Sequence, residues 1–91
     1  MPLNVDPSIA PPDEPDPVLG RVVRRLREEQ GLSQADVANR AQVELATLAR
    51  IEDGAVDPPW ATVEAVARGL GLPVRSIAAA VAEQRDQAGD R

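Results

Sequence analysis

Cysteine and histidine are both absent from the 91 residues. The chain therefore has no disulfide framework, no thiolate or imidazole to act as nucleophile or base, and no ligand set for a zinc or transition-metal cluster. Phenylalanine and tyrosine are missing as well, and Trp60 is the sole aromatic residue. Apolar residues amount to 43%, but alanine supplies a large share of them, so any core is small and aliphatic. Lysine does not occur, and all ten basic residues are arginine. Arginine suits planar, bidentate contact with phosphate or guanine, although an excess of arginine and alanine is also what GC-rich coding produces. No apolar run approaches the roughly 18 residues of a membrane span. Asp6 and several prolines stand where a signal peptide would carry a basic stretch and then an apolar one. These absences predict a soluble, cytoplasmic, non-catalytic protein with no cofactor and no metal. At this length one domain is the ceiling, and a domain so small hides only about 60% of its unfolded surface, which points to an oligomer.

The net charge of −5 is unevenly placed. Asp6, Asp13, Glu14 and Asp16 lie in the first 17 residues with no base among them, whereas residues 18–85 hold nine arginines against nine acids. Six of the nine prolines share the acidic segment. Proline lacks an amide donor and like charges repel, so residues 1–17 read as a disordered or polyproline-like tail. From Val18 the pattern becomes helical. Leu19, Val22, Val23 and Leu26 recur at helical spacing, with Arg21, Arg24, Arg25 and Arg27 on the other faces. Gly31 is a stop signal, and Ser33-Gln34-Ala35-Asp36 has the capping-box form that opens a helix. That second helix carries Val37, Ala38 and Ala41. A third runs from near Glu44 with Leu45, Leu48 and Ile51, closed by Asp53-Gly54. Pro58-Pro59 opens a fourth with Trp60, Val63, Val66, Ala67 and Leu70, whose end Gly69 and Gly71 loosen. Pro73 restarts the chain into a fifth with Val74, Ile77, Ala78 and Val81. No alternating run or hairpin signal is present. The expectation is an all-α five-helix bundle over residues 18–84, followed by a flexible tail at 85–91.

Two short helices joined by a turn of about four residues have the geometry of a helix-turn-helix unit. The stretch from Leu19 to Ile77 resembles the lambda-repressor-like, or XRE-type, DNA-binding domain. The matching residues are Leu19-Gly20, Leu26-Arg27, Gly31-Leu32-Ser33-Gln34, Val37-Ala38, Ile51-Glu52-Asp53-Gly54, Pro58, and Ala67 through Leu72. The resemblance implies that the third helix enters the major groove of double-stranded DNA, with Glu44, Leu45, Ala46, Thr47 and Arg50 facing it. It implies that Gln34 bonds phosphate while steadying that helix, a contact that positions the protein and reads no sequence. Arg27 and Glu52 correspond to a structural ion pair between the first helix and the end of the third. Arg21 and Arg24 lie where they could reach backbone phosphates. Chemically, Arg50 can grip O6 and N7 of guanine, Thr47 can donate to a base or phosphate, Leu45 and Ala46 suit a thymine methyl, and Glu44 can accept from cytosine N4.

Two residues depart from the family pattern. Glu44 replaces the usual serine or threonine cap, and Gln42 replaces the turn glycine, at a cost of about 1 kcal/mol if positive φ is required there. Trp60 is expected to pack rather than to make contacts. The alanines Ala78, Ala79, Ala80 and Ala82 permit close approach by another helix, from the bundle or from a second protomer. The leading expectation is a transcriptional regulator acting as a homodimer on a two-fold operator. The alternative is an antitoxin or adaptor that docks a second protein, such as a toxin or effector, with weak DNA binding or none. Glu44, Leu45, Ala46 and the acidic balance favour the alternative; Gln34, Thr47, Arg50 and the arginine-rich first helix favour DNA.

Overall fold

The computed structural model describes residues 17–89. Of residues 1–17, expected to form a disordered tail, residues 1–16 lie outside the described residues, as do residues 90 and 91, and Pro17 opens the first helix. Five helices follow in order: α1 (Pro17–Glu29), α2 (Gln34–Ala41), α3 (Leu45–Glu52), α4 (Trp60–Leu70) and α5 (Val74–Gly89). Among the described residues there is no strand. The all-α, five-helix arrangement expected from the sequence is the one found. No single described helix is long and apolar enough to cross a membrane.

The helix stops are built in one way. After each of α1 to α4 a residue takes positive φ, at Gly31 (70°), Gln42 (60°), Gly54 (73°) and Gly71 (72°). The amide that follows reaches back five residues: Leu32 donates to Arg27 (3.2 Å), Val43 to Ala38 (3.0 Å), Ala55 to Arg50 (2.9 Å) and Leu72 to Ala67 (3.0 Å). This satisfies carbonyls that a helix end leaves without partners. Gln42 is the exception to glycine, and its side-chain amide donates to the Asn39 carbonyl at 2.9 Å, partly offsetting the backbone strain. At the start of α2 the capping box is complete, with the Asp36 amide donating to Ser33 Oγ and the Ser33 amide to the Asp36 carboxylate, each at 3.0 Å.

Val22, Val23, Val37, Leu48, Ile51, Val66, Leu70 and Ile77 form the fully buried centre of the core. With such small side chains, the helix backbones must come close. A methyl group added to Gly20 on α1 would overlap the Ile51 carbonyl oxygen at the end of α3. Gly69 on α4 would carry a methyl only 2.8 Å from the Val37 carbonyl of α2. Gly69 was expected to loosen the end of α4; it lies inside the helix and serves a close crossing instead.

Three further expectations are corrected. Trp60 is 58% exposed rather than packed, because it opens α4 and the inward face of that helix is taken by Val63, Val66 and Leu70. Leu45 is not on the apolar side of α3 but 50% exposed. The last helix does not stop at the boundary expected after residue 84, since α5 continues to Gly89. No helix breaker precedes that glycine, and Glu83, Gln84 and Arg85 have good helix propensity.

Candidate nucleic-acid interface

At roughly 100° per residue, an eight-residue helix divides into faces that can be read directly. On α3 the residues Leu48, Ile51 and Glu52 point inward and are buried. Leu45, Ala46 and Arg50 point outward and are exposed, and Thr47 and Ala49 flank them half-buried. Glu44 is the N-cap, in extended conformation (φ −71°, ψ 145°), exposed, and makes no side-chain capping bond. The N-cap Glu44 and the four α3 residues Leu45, Ala46, Thr47 and Arg50, expected to face DNA, thus all lie outside the buried face of the helix. Ala49 joins them, one helical turn beyond Leu45. That position was readable from the i, i+4 spacing and was missed.

The inward face is anchored by Glu52, whose side chain is 1% exposed. Its carboxylate accepts from Arg27 Nε at 2.7 Å and Nη2 at 3.0 Å, a bidentate pair reaching from α1. The third guanidinium nitrogen, Nη1, donates to the Leu32 carbonyl at 2.8 Å, tying down the turn before α2. Hydrogen bonding to Glu52 raises the Arg27 pKa against the opposing effect of burial, so the guanidinium stays charged. Gln34, the first residue of α2, adds a third donor to the same carboxylate, Nε2 to Oε1 at 3.0 Å. The family resemblance foretold the Arg27–Glu52 pair; the bond from Gln34 to the same carboxylate was not foreseen. One buried carboxylate therefore joins α1, the turn, α2 and α3, which fixes the pose of the outward α3 face.

Arg24 sits on the exposed side of α1, 3.2 Å from Glu28 in an i, i+4 pair with both side chains more than half exposed. Such pairs contribute little and break easily, so Arg24 can be redirected to another anion. Thr47 and Arg50 share a notch of about 200 Å³ with Asp57 and Thr62, where the α3 face meets the loop into α4. Asp57 in that loop and Thr62 in the first turn of α4 were not singled out as site residues from the sequence, because only folding brings them beside α3. Among the described residues no group of three His, Cys, Asp or Glu side chains is arranged to hold a metal ion.

A family model described as a helix-turn-helix domain matches residues 18–80. The chain belongs to that family. It is 36% identical over 59 residues to the immunity repressor protein of Bacillus phage phi105, covering 65% of this chain and 41% of that protein. It is 32% identical over 65 residues to the HTH-type transcriptional regulator DdrOP3 of Deinococcus deserti, covering 71% of this chain and 50% of the relative. The chain thus spans half or less of the length of these curated relatives. The fold also matches a crystal structure of the restriction-modification controller protein C.Esp1396I, a tetramer in complex with its natural 35 base-pair operator. That match has a TM-score of 0.70 at 18% identity and covers 74% of this chain and 88% of the other. In this helix-turn-helix domain α2 and α3 are the paired helices, and Gln42 and Val43 lie in the turn between them.

Proposed function

We propose that this helix-turn-helix domain is a sequence-specific DNA-binding transcriptional regulator. It lays α3 in the major groove and acts in the cytoplasm as a homodimer on a two-fold operator. The observation that carries the reading is the division of α3 into a locked inward face and an outward row from Glu44 to Arg50. Relatives named as a repressor and a transcriptional regulator support it, as does a fold shared with a controller whose operator complex is known. A domain this small makes too few phosphate contacts to bind tightly alone, and pairing half-sites about 34 Å apart remedies that.

In this reading Arg50 grips guanine, and Thr47 reaches a base or phosphate. Leu45, Ala46 and Ala49 pack on thymine methyls, and Glu44 accepts from cytosine N4. Gln34 and Arg24 contact phosphate and carry no sequence information. Binding isotherms against genomic fragments test these roles. Arg50→Ala loses about 1 to 3 kcal/mol on the operator and flattens discrimination at one guanine, whereas Gln34→Ala weakens binding to all sequences alike. Glu44→Ser strengthens general DNA binding by removing a like charge and supplying a cap. If the wild type prefers no fragment over random DNA and Arg50→Ala changes nothing, the reading fails. A protein-docking module, antitoxin or adaptor, then takes its place, and one observation favours it: Leu45 is half exposed beside an acidic cap, a combination suited to a protein surface.

A further inference from the structure

Arg50 would carry most of the base discrimination, yet it stands exposed in the last turn of α3. Its long stem samples many rotamers, and holding the guanidinium in one of them costs side-chain entropy. The arginines of α1 are held by acids: Arg24 by Glu28, Arg25 by Glu29 and Arg27 by Glu52. Arg50 belongs to none of these pairs. The acid that stands beside it is Asp57, which shares with Arg50 the notch of about 200 Å³ between α3 and the start of α4. Val56, Pro58 and Pro59 supply the apolar wall of that notch. The backbone there is stiff, since both prolines have a fixed φ and Pro58 also restricts Asp57 before it. Helix α4 starts on Pro59 without a side-chain capping bond, so capping does not account for the Asp57 carboxylate. Direct contact with DNA does not account for it either, because a carboxylate beside phosphates is repelled.

We infer that Asp57 is a positioning residue for Arg50: on bound DNA its carboxylate takes the near edge of the guanidinium and turns the far edge toward guanine. This rests on the regulator reading and adds to it the residue that sets specificity at that guanine. The guanidinium has enough donors for both partners. O6 and N7 of guanine engage the two Nη groups end-on, which leaves Nε–H and an outer Nη N–H for a bidentate carboxylate. The apolar wall keeps water from one side of the pair, which strengthens the attraction. The same acid penalises error. If Arg50 swung away to a phosphate, the carboxylate would be left without its partner beside a negatively charged backbone, so a grip that ignores sequence is disfavoured.

The test uses the full chain and the duplex it binds best among random oligonucleotides, alongside the same duplex with adenine in place of the guanine that Arg50→Ala identifies. Asp57→Asn should lower the preference for guanine about fivefold. Its binding to random-sequence duplex should strengthen about twofold, because a like charge has been removed. A residue that merely supported the fold would weaken both. In the Arg50→Ala background, adding Asp57→Asn should change the preference no further, since there is nothing left to position. Glu64→Gln removes the same charge from an exposed site on α4 and should keep the wild-type preference. Thermal unfolding of each variant checks the fold. An intact preference in Asp57→Asn, an equal loss in Glu64→Gln, or a further loss on top of Arg50→Ala overturns the inference and leaves the regulator reading standing. A wild type that selects no duplex over random DNA overturns both.

Discussion

Glu52 is a carboxylate with almost no exposed surface, and it is tolerable there because three donors converge on it. Removing its charge leaves Arg27, itself mostly buried, as a cation without compensation. Glu52→Gln is therefore expected to cost about 3 kcal/mol. In a domain this small that lowers Tm by more than about 10 °C, as thermal unfolding followed by circular dichroism can check. Replacing both partners, Arg27→Met with Glu52→Leu, should recover much of the loss, and a coupling below about 0.5 kcal/mol in the double-mutant cycle would argue against the pair. Gln42 presents the opposite case, a residue at φ 60° where the three equivalent stops have glycine. Gln42→Gly relieves left-handed strain of about 1 to 2 kcal/mol but gives up the bond to Asn39 and loosens the unfolded chain. The net expectation is a gain of about 0.5 to 1 kcal/mol in denaturant unfolding; a loss would mean that the side-chain bond outweighs the strain.

At the scale of the helix, α2 and α3 begin in contrasting ways. The capping box of α2 holds the Asp36 carboxyl below its ordinary value of 3.8, chiefly through the Ser33 amide and then the Ser33 hydroxyl. Because the folded pKa is the lower one, the contribution is complete above pH 3.8 and disappears as pH falls from there through the folded value. The difference in Tm between wild type and Asp36→Ala should accordingly be flat near neutrality and shrink as the pH is taken down into the acid range below 3.8; a difference that does not change with pH would place the effect elsewhere. For α3 the cap Glu44 makes no such bond. That helix depends on packing of Leu48 and Ile51 and on the Glu52 network rather than on its own start. Its N-terminal turn consequently offers unpaired amides and a free carboxylate to whatever lies in front of it.

For the molecule as a whole, net charge misleads unless its position is considered. Four acids precede Pro17, whereas the stretch 18–85 is electrically balanced, so an acidic protein presents a bundle of neutral average charge with arginines on α1 and α3. If the chain binds DNA as the homodimer proposed above, counterion release gives binding that weakens with salt, with a log–log slope of about 3 to 5 in magnitude per dimer, against about 10 for a strongly basic repressor. Titrations at several salt concentrations give that slope. A value near zero would mean that no phosphate is neutralised and would move the functional reading to protein docking.

The sequence alone determined the element order and the main seams of the fold, because those are encoded locally. Ser33 to Asp36 fixes a helix start within four residues, Gly31, Gly54 and Gly71 fix stops through their backbone freedom, and Leu48 and Ile51 mark a buried stripe by spacing alone. The outward placement of Ala46 and Arg50 on α3 and the Arg27–Glu52 pair were also legible, both through family resemblance. What tertiary structure decided depends on atoms far apart in the chain. Nothing local tells whether Trp60 or Val63 wins the inward side of α4, or that Gly69 is needed for contact with the Val37 carbonyl rather than for ending a helix. Nor could spacing show that Gln34 joins Glu52 or that Thr62 shares a notch with Arg50, since each meeting requires the helices to be packed first. Periodicity assigns a residue to a face of its own helix, whereas burial and partnership depend on which other element covers that face.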